Sequence, residues 1–303
     1  MTAPIVVGCA ATDAGRDAMA LGARLAMATG APLVLTFVLP ADLRDVLPPA
    51  TRGPQARAQA EEWLSDAAAS LPASVSATTL VQDANSFAQG LVEAAHETGA
   101  RLIVVGAANG GLRGRHRLGT VATELLHSSD VAVALAPEGS RRVLPAIGIT
   151  RITAGIGLRA GAEALMDASI ALARATGAEL RIMSLVALDL PAGIAATESA
   201  AEHADEVYVH VRAALPPSID ADVVVGLGDS IEEAVRRLRW EPGEIAIVGS
   251  SRLADRRRLF LGSTAAKILR ELPVPMIVVP RTPDALGQSQ LQTTPTTTER
   301  REK

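Results

Sequence analysis

Aromatic residues make up only 2% of this 303-residue chain, and Cys9 is its single cysteine. One cysteine excludes an internal disulfide and gives no sign of an oxidising compartment. With so few aromatics, the core of a sequence that is 48% hydrophobic must be built from Ala, Val, Leu and Ile. Ala-rich helices over parallel strands of Val and Ile, covered on both faces, suit that composition. An excess of positive charge is missing as well: 29 basic residues stand against 33 acidic ones, a formal charge of −4. Without a basic field, or aromatic residues interleaved with basic ones, nucleic acid is not an expected partner. No apolar run approaches the ~18 residues that suggest a membrane span. A cytoplasmic protein with no membrane partner is expected.

What is present is a long repeat. Val104-Val105-Gly106 is followed by Gly119-Thr120, a helix-like run, and Val131 to Pro137. Ile247-Val248-Gly249, Gly262-Ser263 and Val274 to Pro280 repeat these landmarks 143 residues later, without a gap from Arg101/Glu244 onward. Ten of the 37 aligned positions are identical, among them Gly106/Gly249, Arg113/Arg256 and Pro137/Pro280. A period this long signals a duplicated domain, since solenoid repeats are much shorter. The expected organisation is one domain over 1–139, a second over 140–282, and a disordered tail over 283–303, where Gln, Thr, Pro and charge predominate.

Apolar runs alternate with segments of helical period in both halves. The first half reads as strands Ile5–Gly8, Leu33–Leu39, Val75–Val81, Leu102–Val105 and Val131–Ala136, with helices over 17–29, 56–71, 86–98 and 120–127. The second reads as strands Ala146–Thr150, Leu180–Leu185, Asp222–Gly226, Glu244–Val248 and Val274–Val279, with helices over 161–175, 198–214 and 230–239 and one after Ser263. Glu138–Leu144 reads as the linker. The fold class is α/β: two tandem, doubly wound, Rossmann-like parallel sheets. Each closing strand would be a sheet edge, and an apolar edge invites pairing. The two edges are expected to meet across a pseudo-twofold.

Gly106 and Gly249 end a strand, where glycine lets the backbone turn sharply and a ligand approach the main chain. Gly119-Thr120 and Gly262-Ser263 open a helix. Thr120 and Ser263 suit N-caps, and the free N–H groups and positive dipole end of a first turn suit phosphate. Open α/β sheets bind ligands beyond the carboxyl ends of their strands. The intervening loops are basic, with Arg113, Arg115, His116 and Arg117 in one and Arg252, Arg256, Arg257 and Arg258 in the other. On the residues alone a blander reading stays open: packing glycines, simple caps and solvated arginines.

Taken together, Val248-Gly249, Gly262-Ser263 and the closing Val274–Pro280, all in duplicate, resemble the universal stress protein family over about residues 3–137 and 145–281. The resemblance implies a five-stranded parallel sheet in each half and dimer-like packing of the halves, and it leaves a homodimer of whole chains open. In the nucleotide-binding branch, the pattern Gly-x2-Gly-x9-Gly-Ser/Thr holds the phosphates of ATP. Carried onto this chain, the candidate nucleotide-binding residues are Gly106, Asn109, Gly119 and Thr120, and Gly249, Arg252, Gly262 and Ser263. Two departures stand out. Asn109 and Arg252 replace the second glycine, and asparagine tolerates positive φ better than arginine. Ala10 stands where the family has an acidic residue near the adenosine, and Thr150 and Arg151 stand near the corresponding place in the second half. A missing polar partner of that kind costs about 1–3 kcal/mol, roughly five- to a hundredfold in affinity.

No catalytic constellation emerges. Ser250 and Ser251 lack a Gly-x-Ser-x-Gly elbow and an identifiable His/Asp pair. Cys9 is expected to be a buried small hydrophobe. His203 and His210, two helical turns apart, lack the density of a metal site. His96 and His127 sit near helix ends, where cap or dipole roles suffice, and Trp63 and Trp240 read as core or interface residues. The expected function is a regulatory or sensory protein that binds an adenine nucleotide (ATP) and is not an enzyme, with weak nucleotide hydrolysis left open. The alternative is an interaction and assembly protein of the same fold that binds no nucleotide.

Overall fold

The computed structural model describes residues 2–40, 54–107, 118–156, 163–187, 220–250 and 259–280, with a few positions between 202 and 213. Asn109, Arg252, the basic loop residues of both halves, His203, His210 and the tail after 280 lie outside the described residues, as does most of the helix expected over 198–214.

In the first half, strands β1 (Ile5–Gly8), β2 (Leu33–Pro40), β3 (Ala77–Ala84), β4 (Leu102–Gly106) and β5 (Ala132–Ala136) alternate with helices α1 (Asp13–Thr29), α2 (Pro54–Ala69), α3 (Phe87–Thr98) and α4 (Thr120–Ser128). The second half contributes strands β6 (Arg151–Gly155), β7 (Glu179–Ala187), β8 (Asp222–Gly228), β9 (Glu244–Gly249) and β10 (Met276–Val279). Its described helices are α5 (Glu163–Thr176), α6 (Ile231–Arg237) and α7 (Ser263–Glu271). All ten strands join one sheet in the order β3-β2-β1-β4-β5-β10-β9-β6-β7-β8. Pairing is parallel within each half. The seam between halves is antiparallel, with Val133 opposite Val278, Ala134 opposite Ile277 and Leu135 opposite Met276. The two apolar closing strands therefore cover each other's edges, as their composition suggested, and every residue of both is buried.

Successive strand residues point to opposite faces, so two cores form. Val7, Leu33, Ile152 and Ile277 pack under α1, α2 and α5 with Leu21, Leu64 and Ile170. Val6, Ile103, Val248 and Val278 pack under α3, α4, α6 and α7 with Leu91, Leu125, Val235 and Leu269. Each core runs across the seam. Trp63 meets Phe37 edge-on at 5.9 Å and covers the margin of the first core.

Two differences from the sequence reading have clear causes. Helix α1 begins at Asp13, four residues before its apolar period shows, because extended Thr12 caps it and accepts from the Gly15 amide at 3.2 Å. The opening strand of the second half is β6, not Ala146–Thr150. Pro145–Ile147 forms a 3-10 turn, and Gly148 follows at φ 65° and ψ −149°, a region essentially reserved for glycine. That turn breaks any strand through Ala146–Thr150. The pairing of Ile152 with Ile245 matches that of Ile5 with Leu102, so the first strands are displaced by 147 residues, while the fourth strands keep the 143-residue displacement.

The linker is an ordered element. Gly139 and Arg141 amides donate to the two carboxylate oxygens of buried Asp17, each at 2.9 Å, and the Arg141 guanidinium meets the same group at 2.9 Å. Asp13 of the same helix also meets the Arg141 guanidinium at 2.8 Å, so two α1 carboxylates fix the path between the halves. The second half also buries a charged cluster. Glu244 at the start of β9 accepts from Arg151 at 2.8 Å and also from Arg181 and Thr153.

Candidate functional site

The carboxyl ends of β1, β2 and β4 open into a cleft of about 600 Å³, within the range of small-molecule sites. Three helix starts face it. Helix α1 contributes Thr12, Ala14 and Gly15, α3 contributes Ser86 and Phe87, and α4 contributes Gly119 through Ala122. Helix N-termini carry positive partial charge and point N–H groups outward, so three of them converging on one cleft favour an anion.

The three starts are not equivalent. Thr12 caps α1, and Ser86 caps α3 by accepting from the Gln89 amide at 3.1 Å. At α4 the cap residue is Gly119, extended at φ −85°, which has no side chain to cap the first turn. This corrects the N-cap role expected of Thr120, which is instead the first helical residue and is exposed. The same holds in the second half, where Gly262 is the cap and Ser263 the first residue of α7. A glycine cap satisfies none of the free amides. At α4 they open on the cleft.

The Ser86 hydroxyl also donates to Glu124 Oε1 at 2.7 Å and so ties α3 to α4. Sequence reasoning missed Glu124, which places one carboxylate on the cleft wall. The spacing Ser86-x-x-Gln89 is a capping signal, but nothing local to the sequence pairs Ser86 with a residue 38 positions away.

Gly106 lies in this cleft for a reason other than the one expected. A Cβ there would fall 2.0 Å from the Ala14 carbonyl oxygen and 2.6 Å from its carbon. The first turn of α1 crosses the end of β4 at backbone contact, and glycine is the residue that permits it. Gly106 shapes the cleft through packing. Cys9 also borders the cleft but is buried, and desolvation pushes its thiol pKa up to about 12. At neutral pH it is a protonated, inert group.

The corresponding place in the second half is built differently. A Cβ on Gly249 would meet nothing nearer than Leu165 at 3.8 Å. Ser250, next in sequence, accepts from the Phe260 amide at 2.8 Å and closes the end of its loop. Leu259 and Leu261 amides donate to the Ser129 and Leu126 carbonyls of the first half at 2.7 and 3.1 Å, and the Phe260 ring meets His127 edge-on at 5.0 Å. Met183 takes the register position that Thr36 holds in the first half. Its Cε lies 3.4 Å from where a Cβ on Gly155 would be, so a long side chain sits beside the strand where the first half has a small hydroxyl.

The structure therefore brings Gly106, Gly119 and Thr120 to one cleft with Ala10 on its rim. Gly249, Gly262 and Ser263 occupy the equivalent end of the second half. Among the described residues there is no group of three or more His, Cys, Asp or Glu able to hold a metal. None of the described helices is long and apolar enough to cross a membrane.

Comparison with known proteins fits this geometry. The sequence pattern of the Universal stress protein family matches twice, over residues 1–137 and 148–280. The second match begins at Gly148, just before β6. Universal stress proteins of Mycobacterium tuberculosis (strain H37Rv) and Mycobacterium bovis are each 30% identical over 204 residues, 64% of this chain and 69% of theirs. A universal stress protein structure from Archaeoglobus fulgidus superimposes with a TM-score of 0.65 at 15% identity, covering 92% of this chain and 98% of that one. A Pseudomonas aeruginosa protein described as functionally unknown does so with a TM-score of 0.59 at 14% identity, covering 94% of each. These two structural likenesses bear on the fold.

Proposed function

The chain belongs to the universal stress protein family in both of its halves, and from that premise we propose that it is a regulatory protein whose first half binds an adenine nucleotide, ATP, in the cleft above β1, β2 and β4. The functional units on this reading are 1–139 and 140–282. The phosphates lie at the start of α4, held by the amides of Thr120 to Ala122 and the Thr120 hydroxyl. Gly106 keeps α1 close enough to form the opposite wall, and Val38 and Leu91 offer apolar surface to the base. Asn109 lies between Gly106 and Gly119 in sequence and belongs to the same candidate set. Gly249, Arg252, Gly262 and Ser263 are the second-half counterparts in sequence. The observation that supports this reading most is the convergence of three helix starts on one cleft, with only the third lacking a side-chain cap. Glu124 on the wall and Ala10 in place of an acidic residue both weaken the site, so a modest affinity is expected.

Calorimetric titration with ATP tests it. Thr120→Glu puts a carboxylate where the phosphates would sit, and an acid in the first turn stabilises a helix by about 0.3–1 kcal/mol. The variant is expected to melt no lower than wild type while losing at least about tenfold in ATP affinity, since each ~1.4 kcal/mol is a factor of ten. A wild-type protein that takes up no ATP at millimolar concentration, or a variant that binds as wild type does, removes the reading.

A further inference from the structure

The chain has six aromatic residues: three Phe, two Trp and one Tyr. Phe37 meets Trp63 and Phe260 meets His127 edge-on, while Trp240 and Tyr208 each lie against an arginine, Arg181 and Arg212. Among the described residues, Phe87 alone of the six meets neither another ring nor a guanidinium. It is 39% exposed, and it lines the first-half cleft. A large apolar side chain left singly on an open surface needs no explanation. An unpartnered ring on the wall of a small-molecule cleft is a different case, because such clefts hold their ligands largely through apolar and aromatic surface.

Local packing fixes where that ring stands. Phe87 is the first residue of α3, directly after the Ser86 cap. Leu91 follows four positions later on the same helix face, and its Cδ1 lies 3.0 Å from where a Cβ on Gly8 would be, at the end of β1. Leu91 is 3% exposed against 39% for Phe87, so the pair runs from the floor of the cleft to its mouth. A Cβ on Gly90 would fall 2.6 Å from Val38 Cγ1, so α3 lies hard against β2. The Ser86–Glu124 bond ties α3 to α4. The Phe87 ring and the first-turn amides of α4 are thus held in a fixed relation. Aromatic rings favour offset or edge contact with another flat ring, and every nucleobase has a face to offer.

We propose, resting on the nucleotide reading above, that the adenine ring of the ligand stacks on Phe87, with Val38 and Leu91 beneath it, and that Phe87 sets the preference of the cleft for a nucleotide over other phosphates. Base and phosphates are then held by different helices, α3 and α4, and their contributions separate by mutation.

Calorimetric titration of the full chain with ATP and with inorganic tripolyphosphate, in wild type, Phe87→Leu and Phe87→Trp, tests this. Leucine keeps apolar bulk and favours a helix at least as well as phenylalanine, but it has no ring. Phe87→Leu should melt close to wild type and bind ATP about five- to a hundredfold more weakly, the usual effect of removing one stacking partner. Its affinity for tripolyphosphate, which has no ring to stack, should not change. Phe87→Trp restores a ring and should bind ATP more tightly than Phe87→Leu, with the fluorescence of the added indole quenched by the base; neither Trp63 nor Trp240 lines the cleft. If wild type binds ATP and Phe87→Leu binds it equally well, the role of Phe87 is overturned and the nucleotide reading stands. The same holds if Phe87→Leu weakens tripolyphosphate as much as ATP, if Phe87→Trp binds ATP no better than Phe87→Leu, or if ATP leaves the added fluorescence unchanged. No ATP uptake by wild type at millimolar concentration overturns both.

Discussion

Replacing Glu244 by alanine is expected to destabilise the protein by about 3–5 kcal/mol, the usual consequence of removing one partner from a buried charge cluster. Glu244 has no exposed surface, and Arg181 beside it is 4% exposed. One carboxylate oxygen takes Thr153 and Arg181; the other takes Arg151 and the Glu241 amide. Without it, Arg181 keeps the Thr153 hydroxyl, the Arg239 carbonyl, the face of Trp240 at 5.0 Å and the weaker pull of the Asp222 charge. Burial already lowers the Arg181 pKa, opposed by the Glu244 charge, yet a guanidinium does not escape by losing its proton. The thermal midpoint should fall by roughly 10 °C. Two controls separate this from a general surface effect. Glu241→Gln removes a half-exposed partner of the same Arg151 and should cost no more than about 1 kcal/mol. Glu244→Met combined with Arg181→Met removes the most buried pair, leaves Arg151 to Glu241, and should recover much of the loss. If Glu244→Ala melted with the wild type, the cluster would contribute nothing.

The second large effect contrasts two glycines that the repeat makes equivalent. Gly106→Ala drives a methyl group into the Ala14 carbonyl, and the obstacle is helix backbone that no side-chain rotation relieves. Overpacking of this kind costs about 1–3 kcal/mol and occasionally more. Because α1 must retreat from β4, the cleft widens and ATP binding should weaken together with stability. Gly249→Ala meets its nearest neighbour at an ordinary 3.8 Å and should stay within about 0.5 kcal/mol of wild type. Urea denaturation of the two variants decides the matter. Equal losses, or a larger one at Gly249, would contradict the packing assigned to α1.

Much of this architecture was legible in the sequence. The duplication, the alternation of strands and helices and the meeting of β5 with β10 follow from apolar periodicity and from the need to cover an apolar edge. Gly119 and Thr120 were found because the strand–loop–helix spacing carries them. Other features had no local signal. The contact of Gly106 with Ala14 and the bond from Ser86 to Glu124 depend on tertiary neighbours far apart in the chain. The first strand of the second half was misplaced because a constant 143-residue displacement does not extend to the residues before Glu244. The second half is four residues shorter between its first and fourth strands, and the backbone of Gly148 forbids the strand that constancy would need. The N-cap assignment of Thr120 and Ser263 was off by one residue, because the extended glycine before each takes the cap position. That single step puts a residue without a side chain at the cap and underlies the proposed phosphate site.

Residue-resolved amide hydrogen exchange, with and without ATP, tests the central claim most directly. The account predicts slowed exchange at Thr120, Val121 and Ala122, at the start of α4, with little change at Ser263 to Ala265, at the start of α7. Unchanged exchange at α4 under saturating ATP, or protection confined to α7, would contradict it.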